Sequence, residues 1–155
     1  MGDLGYNAIK YVHVISAIIW VGGAFFAQLL AIRAQRSTDP AELPRLGAAL
    51  GELGMKVFLP ASIVLFVAGV ILTLQRWAFS QLWISIAIIL WLVSAITGAL
   101  YLGPQSARIG KLFTTEGPTS IAGRAALARV FIVSRLELVS FAILVFLMIF
   151  KPVAS

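Results

Sequence analysis

The sequence predicts an all-α protein, a polytopic membrane four-helix bundle with up-down connectivity. Three observations carry this. Hydrophobic residues make up 61% of the 155-residue chain and charged residues only 12%, against about half and about a quarter in soluble domains. The mean hydropathy is +1.01. Four apolar runs, at about Tyr11–Ile32, Val57–Leu74, Leu82–Leu102 and Val130–Phe150, are close to the ~20 residues a helix needs to cross the hydrocarbon core. Together they form one transmembrane domain spanning the whole chain.

The first run follows Lys10 and contains His13 and Gln28. It is longer than the roughly 7–15-residue apolar core of a cleavable signal, so it reads as a retained span. The loop after it, "AQRSTDPAELPRLGAALGELGMK", holds a helix start with Asp39 as N-cap and Pro40 in first position. Leu43, Leu46, Leu50 and Leu53 then share one stripe, which predicts a short amphipathic helix lying on the membrane and leading into span two. The second run is uncharged and has Pro60 near its start. A tight hairpin, "QRWAFSQ", leads to the third run, with Trp77 and Trp83 suited to an interface. The third run is expected to stop at Pro104, because proline lacks the N–H that continues a helix. Its stripe of Trp91, Ser94, Thr97, Gly98 and Tyr101 reads as helix packing. The fourth helix is expected to begin at Thr119 or Ser120, before its apolar run, and carries Arg135 and Glu137 near the start of that run. No internal repeat is evident.

Lys and Arg concentrate in two connections: Arg33, Arg36, Arg45 and Lys56 in one, Arg108, Lys111, Arg124 and Arg129 in the other. By the positive-inside rule these face the cytoplasm and both termini face outward. The net charge of +6 then reads as topology signal and lipid-headgroup contact, with no nucleic-acid partner. The chain has no cysteine, which excludes disulfides and thiolate metal sites.

His13 is the single histidine. It lies about 4–5 Å inward of Lys10, at ~1.5 Å per residue. Met148 lies three residues inward of Lys151 on the antiparallel fourth span, so the two share a depth. A His–Met pair is the ligand set of a low-spin haem and a soft site for copper. Equally, His13 reads as an interfacial residue hydrogen-bonded to a neighbour, with Met148 as packing. His13, Ser16, Ala17, Trp20, Gly23, Ala24 and Ala27 fall on one face of span one. That face admits another helix or a flat macrocycle. Ionisable groups inside spans are functional candidates. Glu137 is expected to pair with Arg129 or Arg33, or to handle protons, with Gln28 at the same level able to hydrogen-bond to it.

The stretch "KYVHVISAIIWVGG" resembles the first span of HemJ-type membrane protoporphyrinogen oxidases and of CopD-like copper-resistance proteins, through Lys10, His13, Trp20 and Gly23. The "RVF" at Arg129–Phe131 and the closing "KP" extend that resemblance. Over nearly its whole length the chain is similar to a bacterial four-span membrane family known only as a domain of unknown function, through "FLPASIVLFVAG", "LYLGPQSAR" and "FLMIFKP". The resemblance implies a bacterial inner-membrane location and a haem b ligand at His13. The HemJ proline-arginine and tyrosine-histidine pattern after Gly23 is missing, and Ile132 and Val133 replace the Asn-Glu after "RVF", so haem binding transfers more readily than the oxidase reaction.

Three functions therefore stand. The first is a haem b protein, a haem-dependent membrane oxidoreductase working with a quinol or porphyrin. In it His13 and Met148 are ligands, Trp20 packs on the ring, and Arg76 or Lys10 neutralises a propionate. The second is copper handling by His13 and Met148. The third is a non-catalytic membrane component that packs on itself as a homo-oligomer or on a partner.

Overall fold

The structure, a computed structural model, describes residues 2–117 and 119–152. Four long apolar helices account for most of them: α1 Asp3–Gln35, α2 Glu42–Arg76, α3 Leu82–Glu116 and α4 Ile121–Phe150. No strand occurs among the described residues. The helices have 33, 35, 35 and 30 residues. At ~1.5 Å per residue each is about 45–53 Å long, well beyond a hydrocarbon core of ~30 Å. One end of the bundle carries the start of α1, the end of α4 and the hairpin between α2 and α3. The other, the basic end, carries the connections rich in Arg and Lys.

Two expectations are corrected here. The leucine-striped segment Glu42–Leu53 leads into the second span as expected, but it packs on the second half of α3 instead of lying alone on the membrane surface. Pro104 does not end the third helix, which continues to Glu116. Both helices continue for the same reason. A π turn, Gly54–Phe58 in α2 and Gly98–Leu102 in α3, ends just before the proline. Pro60 and Pro104 thus sit in the first two positions of the next α segment. The wider turn re-spaces the carbonyls that a proline ring would strike in a regular α-helix. A shared spacing, Gly54 to Pro60 and Gly98 to Pro104, marks the two π turns. A third π turn, Ile18–Gly22, interrupts α1 without a proline.

Packing partners change along the bundle. At the basic end α2 and α3 approach backbone to backbone. A Cβ on Gly47 would lie 2.8 Å from the Ser106 carbonyl oxygen, and one on Gly110 would lie 3.0 Å from that of Pro44. Glycine here removes the side chains that would hold the helices apart. Toward the chain ends α2 turns to α1, while α3 turns to α4 through Trp83, Ile84, Ala87 and Leu147. Midway, the Trp91 indole N–H donates to the Ser62 carbonyl at 3.0 Å, and the Phe66 and Trp91 rings stack at 4.0 Å, tying α2 to α3.

The ends are capped locally. The Ala41 N–H donates to Asp39 Oδ1 at 2.9 Å, so the expected cap closes a turn just ahead of α2. Ser120 begins α4 as expected, accepting from the Gly123 N–H at 2.9 Å. Trp77 packs edge-on to Trp83 at 5.4 Å, with the Lys151 ammonium 4.7 Å from the Trp77 ring centre.

Gly47→Ala is expected to lower stability by about 1–3 kcal/mol by forcing backbone apart. A Cβ on Gly22 meets nothing within 4 Å, so Gly22→Ala should be neutral or stabilising. Thermal unfolding of the two variants in one detergent checks the contrast.

Candidate functional site

Where α2 and α3 part company, the four helices enclose a cavity of about 170 Å³. Each helix contributes to its wall. α1 presents Ala24, Ala27, Gln28 and Ala31, spaced along one face, below Trp20. The cavity-facing groups of α2 include Phe58 and Ser62, and those of α3 include Ser94, Ala95, Gly98 and Ala99. α4 adds Phe131, Ser134, Glu137 and Phe141. All three π turns reach the cavity, through Trp20, through Gly54 and Phe58, and through Gly98, Ala99 and Leu102. Such turns are concentrated at functional sites, because they break the regular helix surface. The small-residue face expected on span one does turn inward: Ser16 and Trp20 are buried, and the Trp20 ring meets Phe141 at 4.7 Å. Gly23 leaves room for the Phe58 ring.

The polar groups are few and incompletely paired. The Ser134 hydroxyl donates to Gln28 Oε1 at 2.7 Å, which leaves the Gln28 amide nitrogen buried with no partner. Ser94 is 1% exposed. Its hydroxyl lies beside the Glu137 carboxyl but completes no hydrogen bond. Leaving a buried donor unmade costs ~1–3 kcal/mol, and both atoms belong to residues that line the cavity. Glu137 is buried, 8% exposed, and makes no ion pair among the described residues. The expected partners lie elsewhere: Arg33 and Arg129 are exposed, and the Arg135 guanidinium lies 5.9 Å from the Phe131 ring centre. Gln28 bonds Ser134 rather than Glu137.

The imidazole of His13 is built into the α1–α2 contact. Its Nδ1 lies 2.8 Å from the Leu65 carbonyl oxygen. A carbonyl only accepts, so Nδ1 carries the hydrogen and donates it. The ring lies over Gly69, where an added Cβ would be 3.1 Å from His13 Cε1. Met148 is on α4, 37% exposed, and its neighbour Leu147 is the buried residue packed on α3. Arg76 is engaged by Asp3 at 2.5 Å and lies 3.9 Å from the Tyr6 ring centre, and Lys10 is exposed. Among the described residues no group of three or more His, Asp or Glu is placed to hold a metal ion. A cavity of about 170 Å³ compares with the ~150 Å³ that holds benzene.

Residues 7–152 match a family described as "predicted integral membrane protein", DUF2269. The chain belongs to this family. No curated protein and no solved structure matches the chain. The DUF2269 match covers all four helices, and with them every wall of the cavity.

The Leu65 bond makes His13 a helix-pairing residue, and hydrogen bonds between membrane helices average about 0.6 kcal/mol with a maximum near 1.7. His13→Ala is expected to cost about that range. Gly69→Ala should also destabilise, by crowding the ring, and the double variant should lose less than the sum. Reversible unfolding of the three variants tests this coupling.

Proposed function

We propose that this DUF2269 protein binds a small lipophilic molecule with a polar head inside the membrane, in the cavity shared by its four helices. One observation carries the reading: the Gln28 amide nitrogen is buried and unpaired on the wall of a cavity that the buried Glu137 carboxyl also lines. The three π turns around it support the same reading, since such turns are frequent at functional sites. The clustering of Lys and Arg supports a bacterial inner-membrane setting, with the basic end cytoplasmic and both termini periplasmic.

Gly98 provides the test. It lines the cavity, and a Cβ there meets nothing within 4 Å, so Gly98→Leu fills the space without striking backbone. Protein in lipid nanodiscs is extracted with solvent and its small molecules are counted by mass spectrometry. Wild type is expected to hold one species near equimolar amount, reduced at least tenfold in Gly98→Leu. Equal content in the two proteins would reject the reading.

A second reading rests on the His13 tautomer. With the hydrogen fixed on Nδ1 by Leu65, Nε2 of the neutral ring keeps its lone pair, the arrangement common in metal-ligating histidines. His13 would then give one ligand to haem b or copper at the helix surface. Met148, 37% exposed on α4, or a residue of another copy of the chain would give the second ligand. Haem would supply one-electron chemistry there. After haem-replete expression this reading expects a Soret band that His13→Ala abolishes, or copper by elemental analysis. Protein without either removes it.

A further inference from the structure

The lining of the cavity has one ionisable side chain, Glu137, and no Lys, Arg or His among the described residues. A phosphate or carboxylate head would bring a second negative group into a low-dielectric space with no cation to meet it. An organic cation would do the reverse. It would give Glu137 the counter-ion that no described residue supplies. The remaining walls suit the same guest. Trp20, Phe58, Phe131 and Phe141 offer aromatic surface, and ring faces attract ammonium groups most strongly where water is excluded. The volume of about 170 Å³ accepts roughly one six-membered ring with a short substituent.

We propose that the occupant is a lipophilic amine whose ammonium group sits at Glu137 and Ser94. This rests on the cavity being a ligand site, as argued above. The Gln28 amide nitrogen, unpaired on the α1 wall, then selects among amines for those that also carry an oxygen acceptor. No bond is made or broken; the step is binding alone.

The probes are benzylamine and its neutral counterpart benzyl alcohol, measured by equilibrium dialysis against the full chain in zwitterionic nanodiscs. Wild type is expected to bind benzylamine at least tenfold more tightly than benzyl alcohol. Glu137→Gln should remove that preference while keeping benzyl alcohol binding, and Glu137→Asp should retain part of it. Gly98→Leu should abolish binding of both. If wild type binds both probes equally, the amine assignment falls and the cavity remains a ligand site. If Gly98→Leu still binds benzylamine, the cation sits elsewhere and the assignment also falls. If neither probe binds to wild type, the assignment is overturned; the extraction experiment on Gly98→Leu then decides separately whether the cavity holds water alone. The wild-type comparison needs no variant, so a Glu137→Gln protein that fails to fold leaves the proposal open to refutation.

Discussion

The backbone contact of α2 with α3 at Gly47 and Gly110 is the constraint from which the rest of the arrangement follows. With Gly110 2.9 Å from where a Gly47 Cβ would be, the two helices cannot also run side by side for their full length while each packs on a different outer neighbour. They must diverge. α2 goes to α1, where Gly69 accepts the His13 ring, and α3 goes to α4, where Ala87 meets Leu147. The space opened by this divergence is the cavity. Small residues on α1 and α3 keep it open, and a bulkier choice at Ala27 or Ala99 would close it by filling it.

Helices that diverge must bend or change phase, and identifiable features produce such changes. In α2 and α3 the feature is a π turn followed at once by proline. The turn lets the proline be carried without ending the helix, and the proline fixes where the turn occurs. Both turns face the interior at the level of Trp20 and Phe58, so the same feature that redirects the helices also shapes the wall of the site. Glu137 and Ser134 reach that wall from α4, which is α-helical without interruption from Ile121 to Phe150.

Much of this was legible in the residues. Four apolar runs with few charges gave the helix count and the bundle, and an ionisable residue inside a span pointed to Glu137 with Gln28 at its level. Helix ends were less legible. Hydropathy marks the part of a helix that lipid covers, and it carries no signal for the fifteen or so residues by which α2 and α3 continue past it. The rule that proline stops a helix failed at Pro104 because it assumes α geometry on both sides. The repeated Gly-to-Pro spacing at 54–60 and 98–104 was the available sign. Ser94 reads as packing, since a serine in a span commonly bonds its own helix, and its place beside the Glu137 carboxyl shows only in three dimensions. Shared depth placed His13 and Met148 together, but depth leaves the angle around the bundle free. On α4 the burial at that height went to Leu147.

The extension of α2 and α3 beyond the hydrocarbon gives the bundle two different solvents. At the basic end Ala34, Ile109 and Phe113 are each 3% exposed, shielded from an aqueous and headgroup layer by ordinary hydrophobic burial. Toward the chain ends, lipid covers side chains such as Leu74 and Ile89, and burial from water contributes nothing between helices. Urea acts on the first kind of cohesion and hardly on the second. The glycine clasp is therefore the portion that chaotropes loosen first, releasing the floor of the cavity while the lipid-embedded pairs stay together.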